Sequence, residues 1–253
     1  MKLETAVPRI MAFVLLSTLA AFAGSPSRDK NDKPKPTGNI LIDSGSFGVF
    51  IQGKRVATET FSVQQQNGTS IIKSQFKETD GGEGSSQKSD LEMTSSGELL
   101  RYEWSQSSGG SLSVFPDNEF LKERITTSTT KAPAEQAFLL PTATPVLDNN
   151  FFVQREVLAW KYLAVAPCKD EKDHRRCEPA DFGALVPQDR TSMSIRVELV
   201  GKEKVTIRGA ERELLRMNLH GESFDWALWV DESDHFKLIR VAIPADNTEV
   251  VRD

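Results

Sequence analysis

The sequence predicts a mainly β protein: a curved antiparallel sheet or half-barrel of about 11–13 strands, with one apolar helix packed on its concave face. Two observations predict this fold. Apolar and polar residues alternate with a period of two along most of the chain, as they do in strands with one buried face. Residues 149–163, by contrast, are apolar on nearly every side, as a helix covered by other elements must be.

Strands are predicted on both sides of that helix. About seven lie between residues 47 and 127, joined by short turns such as Asn67-Gly68, a dipeptide typical of tight hairpins. About five more lie between residues 193 and 243. Trp226 and Trp229 fall on opposite faces of one of these strands, so Trp229 marks either a partner surface or a site covered by a loop.

The alternation breaks at residues 129–147. Within it, residues 137–147 are apolar but contain Pro141 and Pro145, and proline suits neither a helix interior nor a central strand. We therefore expect an irregular segment here, followed by the helix, with Asp148 as the N-terminal cap.

Residues 1–23 predict a signal peptide. Lys2 and Arg9 give a basic start, residues 10–20 are uncharged but too few to span a bilayer comfortably, and Ala21-Phe22-Ala23 has the small-x-small pattern of a cleavage site. An uncleaved anchor helix is the alternative. Cleavage predicts a bacterial protein exported to the periplasm or secreted, with no transmembrane segment in the mature chain.

Residues 24–39 are rich in proline and lysine and predict a disordered linker before a single β-rich domain at 40–253. The chain is 38% hydrophobic and 26% charged, which excludes a collagen-like, coiled-coil or wholly disordered protein. Its net charge of −5, with both signs interspersed, gives no reason to expect a nucleic-acid partner.

Cys168 and Cys177 are the only cysteines of the chain. In an exported protein, an even pair so close in sequence predicts a disulfide that closes a charged loop. His174 lies between them, so a zinc site is the alternative, but His220 and His235 supply no second spaced pair of ligands. We therefore expect the disulfide, and neither a metal ion nor another cofactor.

Several stretches of the chain resemble one known family. Residues 47–61 are similar to its opening hairpin, residues 145–150 to the segment before its helix, and residues 228–231 with 238–241 to its closing hairpin. The family is an uncharacterised group of bacterial exported β-rich proteins, a domain of unknown function distantly similar in architecture to periplasmic lipoprotein carriers. The resemblance implies the curved sheet and no catalytic residues. That this chain binds a hydrophobic ligand, as the carriers do, is an expectation that rests on the similarity of fold alone.

Three charged residues fall on apolar strand faces: Glu59, Glu123 and Arg240. A buried ion needs a partner, because isolating a charge in a low dielectric is costly. One interpretation pairs Glu59 or Glu123 with Arg240 on the concave face, as a polar anchor for an amphipathic ligand. Phe152 and Trp160 would then seat the helix over that ligand as a lid. The other interpretation places the charges at open sheet ends or in structural pairs.

Three functions are consistent with these residues. The first is a non-catalytic binding module that holds a hydrophobic or amphipathic small molecule in the concave face. The second is an interaction or scaffold protein of the cell envelope, in which the helix fills the sheet and surface loops meet a partner protein. The third is a hydrolase using Glu59 and Glu123, which requires carboxyl groups about 5–5.5 or 6.5–9.5 Å apart in a cleft.

Overall fold

The structure, a computed structural model, describes residues 38–80, 86–127, 132–171 and 174–253, except for the side chains of Glu171 and His174. The predicted signal peptide and all of the predicted linker except Gly38 and Asn39 lie outside the described residues. No helix within the described ranges is long and apolar enough to cross a membrane.

Fourteen strands of the described chain pair into one antiparallel sheet. They are β1 (Ile40–Ile51), β2 (Lys54–Gln66), β3 (Thr69–Glu78), β4 (Ser86–Thr94), β5 (Leu99–Gln106), β6 (Ser111–Asp117), β7 (Phe120–Thr126), β8 (Ala134–Phe138), β11 (Ala180–Val186), β12 (Thr191–Ile207), β13 (Ala210–Gly221), β14 (Asp225–Asp231), β15 (Lys237–Ile243) and β16 (Thr248–Arg252). A separate two-stranded ribbon consists of β9 (Cys168–Glu171) and β10 (His174–Cys177).

The strand order follows the chain with one exception. β1 to β8 lie side by side in sequence, as do β11 to β16, and the two groups join where β16 pairs with β1. Phe47 of β1 is opposite Arg252, and Ile51 is opposite Thr248. Almost every other neighbour is reached through a short hairpin, so the sheet needs few long connections.

The helix α1 (Val153–Val165) lies on the concave side of this sheet. Inward side chains from strands of both groups pack with its apolar residues in one hydrophobic cluster, so the sheet curves around the helix. The predicted fold class is confirmed, with 14 strands in the sheet where about 11–13 were expected. The helix begins at Val153 rather than at residue 149, because residues 149 and 150 form a turn.

The proline-containing segment before α1 covers part of a sheet edge. Leu147 donates its backbone N–H to the carbonyl of Leu185 in β11, and Leu185 donates to the carbonyl of Pro145, both at 2.9 Å. Val146 forms a parallel bridge with Leu185. Residues 145–147 thus shield an edge strand that would otherwise expose unpaired backbone groups. The segment predicted to be irregular is not irregular throughout, because its residues 134–138 form strand β8.

The β12–β13 hairpin folds back over the outer face of the sheet. A register shift between Leu199 and Gly201 interrupts its ladder, and Gly201 has a φ of 132°. Beyond this point the hairpin contributes to a second, outer hydrophobic cluster: Val205, Ile207, Leu214, Ala227, Trp229, Ile239 and Val251. Trp229 is only 5% exposed, so the outward tryptophan is covered rather than presented to a partner.

The two cysteines close the β9–β10 ribbon. Cys168 is opposite Cys177 in the ribbon register, and their sulfur atoms are bonded at 2.04 Å. The predicted disulfide is therefore present. In the described part of the chain, no group of three or more His, Cys, Asp or Glu residues could hold a metal ion.

We expect this disulfide to stabilise the protein modestly. Closing so short a loop contributes on the order of 2–3 kcal/mol in the chain-entropy model. Replacing Cys168 and Cys177 together by serine should lower the free energy of unfolding by that amount or less, as measured by urea denaturation. Two free thiols titrating in the non-reduced, denatured wild-type protein would contradict the disulfide.

Candidate functional site

A layer of ionisable side chains lies inside the sheet around the N-terminal half of α1. We call it the buried polar layer; its members are Glu59, Glu123, Asp148, Arg155 and Glu156. Each is at most 2% exposed. Four carboxyl groups and one guanidinium out of water would be costly unless hydrogen bonds or bound protons compensate them, so the partners of each group decide what the layer does.

Glu59 in β2 caps the helix from across the core. Its carboxylate accepts the backbone N–H of Phe152 at 2.6 Å and that of Val153 at 3.4 Å, together with the hydroxyl of Ser74 at 2.6 Å. The first N–H groups of a helix have no partner within the helix and favour a negative charge nearby. Burial raises the pKa of Glu59 to about 7, although these hydrogen bonds oppose the rise.

Asp148 does not cap α1, contrary to expectation. Its carboxylate accepts the hydroxyl of Tyr102 and, at 2.9 Å, the backbone N–H of Gln188. Its own N–H donates to the side chain of Gln154 at 2.6 Å. Burial raises the pKa of Asp148 to about 6. The residue therefore fastens the chain before the helix to β5 and to the turn after β11.

Arg155 is the cation of the layer. It donates to the backbone carbonyls of Asp148 and, at 3.0 Å, Phe151. Its guanidinium carbon lies 5.0 Å from the ring centre of Trp226 and 5.5 Å from that of Phe152, within the range of cation–π attraction. Burial lowers the pKa of Arg155 to about 10, so the group remains charged at neutral pH.

Glu156 holds the helix to the C-terminal strands. It accepts the backbone N–H of Leu238 at 2.8 Å and a guanidinium N–H of Arg252 at 3.1 Å. Arg252 also contacts both carboxylate oxygens of Asp43, at 2.6 and 2.7 Å. Burial and the neighbouring Asp43 carboxyl group raise the pKa of Glu156 well above its ordinary value.

Glu123 in β7 is the least compensated member. It is 0% exposed, and neither carboxyl oxygen has a hydrogen-bond partner among the described residues. Burial raises its pKa to about 7; the charge of Arg190 opposes the rise and that of Asp148 adds to it. A neutral, protonated carboxyl group is the form that this environment favours.

The structure separates Arg240 from the two glutamates with which it was paired by hypothesis. A register shift opposite Trp229 changes the alternation of β15, and Arg240 contacts Glu249 at 2.5 Å. Its guanidinium carbon lies 4.6 Å from the ring centre of Trp229, in the outer cluster. From alternation alone, Arg240 was expected on the same inward face as Leu238. One extra residue in the β14–β15 ladder turns the side chain of Arg240 to the outer face instead.

The two aromatic residues of the predicted lid are fixed in place. Phe152 is 4% exposed and occupies the N-cap position of α1. The indole N–H of Trp160 lies 3.1 Å from the carbonyls of both His235 and Phe236, in the turn between β14 and β15. The backbone N–H of Phe152 is held by Glu59 in β2 and the indole of Trp160 by the turn between β14 and β15, so both residues help to hold the helix.

Sequence reasoning missed Asp148, Arg155 and Glu156 as members of this layer. The available signal was the polar triplet at 154–156 inside an otherwise apolar helix. It also missed Gln87, whose side-chain carbonyl accepts donors from Trp104, Asn150 and Gln188, each at 3.1 Å.

The two larger of the depressions described for this chain lie outside this layer. One, of about 740 Å³, crosses the outer face of β2 to β7 and has mostly polar side chains. The other, of about 450 Å³, lies at the ends of β1 to β3 beside Asn150, and its walls include Val49, Ala57 and Phe76. Glu59 and Glu123 line neither depression, so neither one brings the two carboxyl groups of the hydrolase hypothesis into a cleft.

Comparison of the chain with family models, with curated proteins and with solved structures gave no match. The resemblance to an exported β-rich family therefore stays a prediction.

We expect Glu59→Ala to lower the free energy of unfolding by about 3 kcal/mol, because two helix N–H groups and the hydroxyl of Ser74 would remain buried without their acceptor. Glu59→Gln, which keeps one acceptor oxygen, should cost less. Urea denaturation measures both, with the outward-facing Thr60→Ala as a control expected within about 0.5 kcal/mol of wild type. Equal stability of Glu59→Ala and wild type would contradict the capping role.

The raised pKa of Glu123 predicts a pH dependence of stability. The folded state holds this proton more tightly than the unfolded chain, whose value is near 4.5. Its contribution is therefore fully present below pH 4.5 and is lost as the pH rises through about 7. Glu123→Gln should flatten the decline between pH 5 and 8 and be more stable than wild type at pH 8, by about 1–3 kcal/mol.

The matched control is Glu119→Gln, at an exposed turn position beside β7. It should leave the pH profile of the unfolding free energy unchanged. If Glu123→Gln showed the same decline as wild type, the carboxyl group would be ionised at no cost in the folded protein and its isolation would be disproved.

Proposed function

We propose that this protein is a non-catalytic interaction module of the bacterial cell envelope, whose concave side is filled by its own helix and whose partners bind outside. The observation that carries the proposal is the fixation of α1 along its whole length. Glu59 holds its start and Glu156 its middle. Near its end, the hydroxyl of Tyr162 accepts the N–H of Leu199 and donates to the carbonyl of Glu178, both at 3.1 Å.

A helix held in this way is poorly suited to act as a lid. Lids come from the parts of a protein that open at low free energy. Lifting α1 would separate Glu59 from its two N–H donors and Glu156 from Leu238, and would leave buried polar groups without partners. Predicted export supports the choice of compartment, as does the bonded cysteine pair, since disulfides persist in oxidising compartments.

The carrier hypothesis, a hydrophobic or amphipathic ligand in the concave face, stays a second candidate. The depression of about 450 Å³ beside Asn150 favours it, because Val49, Ala57 and Phe76 give that depression an apolar wall. A ligand would have to enter there, at the ends of the strands, and not beneath a moving helix.

The stability of Trp160→Ala, together with a fatty-acid probe, separates the two candidates. If the helix is a permanent core element, the substitution should lower the free energy of unfolding by about 3 kcal/mol, and wild-type protein should not bind a fluorescent fatty-acid analogue. Val165→Ala, at a 58% exposed position of the same helix, is the control and should be nearly neutral. Saturable probe binding by wild type would instead establish the carrier, and Trp160→Ala should leave that binding unchanged, because Trp160 does not line the depression beside Asn150.

A further inference from the structure

The two halves of the outer face differ. Over β14 to β16 this face is apolar, and the β12–β13 hairpin covers it. Over β2 to β7 it is polar, and the depression of about 740 Å³ crosses it. We call this depression the outer groove. In the proposed function the helix fills the concave side, so a ligand has to bind elsewhere, and the outer groove is the larger depression on the outside.

Two cross-strand rows of side chains line the outer groove. The first is Thr60, Gln75, Lys88, Ser105, Ser111 and Thr126. The second is Ser62, Lys73, Asp90, Glu103, Ser113 and Arg124. Each row crosses six strands, so at about 4.8 Å per strand the groove extends roughly 24 Å across the sheet. That length suits an extended polymer running perpendicular to the strands.

Short hydroxyl side chains occupy six of the twelve positions of the two rows taken together. Four of these hydroxyls have no hydrogen-bond partner in the described ranges: Ser62, Ser105, Ser111 and Ser113. A hydroxyl both donates and accepts, so such a surface matches a ligand that carries many hydroxyl groups of its own.

Among the described residues of the groove, every charged side chain except one lysine is paired with an opposite charge. Lys73 pairs with Asp90 at 3.3 Å, and Arg124 pairs with Glu135 at 2.8 Å. The carboxylate of Glu103 is likewise occupied, by Arg101. Among the described residues, Lys88 has no carboxylate partner, and it lies near the middle of the first row. A single uncompensated ammonium among hydroxyls favours a polyhydroxylated ligand with a sparse negative charge.

We propose that the outer groove binds one strand of an acidic polysaccharide, with sugar hydroxyls on the two rows and a carboxylate at Lys88. A nucleic acid fits less well, because its dense phosphates require several free cations and its bases aromatic platforms. The inference rests on the proposed function in one respect: the helix-filled core leaves the outside as the binding surface.

The experiment compares an oligogalacturonate with its methyl ester, in which each carboxylate is replaced by an uncharged ester, by isothermal titration calorimetry with the full chain. The acid should bind about tenfold more tightly than the ester. Lys88→Gln should remove that difference, whereas Lys77→Gln, at an exposed position of β3 just outside the groove, should preserve it. Ser113→Tyr, which fills the groove, should abolish binding of both probes while the urea midpoint confirms that the variant folds.

Equal affinity for acid and ester, or an unchanged preference in Lys88→Gln, would overturn the acidic ligand. Undiminished binding by Ser113→Tyr would overturn the site. If neither probe binds, the outer groove is not a polysaccharide site. That result would not contradict the proposed interaction module, because Trp160→Ala and the fatty-acid probe test that function independently.

Discussion

The fold depends on satisfying the N-terminal end of a helix inside a sheet. The N–H groups of Phe152 and Val153 lie in the core, where water cannot reach them, and the carboxylate of Glu59 is their acceptor. This one contact connects residues more than 90 positions apart and fixes the depth of α1 in the sheet. The inward side chains of both strand groups then pack around a helix whose position is already set.

The buried polar layer around that contact contains more acid than base. Arg155 is its one guanidinium, and it faces the charges of Glu59 and Asp148. The surplus is balanced by protons, since burial raises the pKa of Glu59 and Glu123 to about 7. Both groups therefore titrate near neutral pH, and one of them, Glu59, holds the start of the helix.

Local sequence patterns predicted much of this fold. The features that they could not predict depend on contacts between residues far apart in the chain. Alternation placed Glu59 and Glu123 on the inward face, and both are fully buried. It failed at Arg240, because a register shift in the β14–β15 ladder changes the face on which the side chain lies. Nor could it show that Glu59 meets the helix start, because period-two patterns specify a face of a strand and not its partner.

The outer groove is supported by the same strands that enclose the helix. In β2, β3 and β4, groove residues alternate with Phe61, Ser74 and Ser89, which are buried on the inner side. Ser74 itself binds Glu59, which holds α1. The floor of the groove is thus fixed from behind, so a ligand would not have to order it on binding, and this lowers the entropic cost of association. Anchoring the helix and presenting a rigid polar surface are in this way two consequences of one packing arrangement.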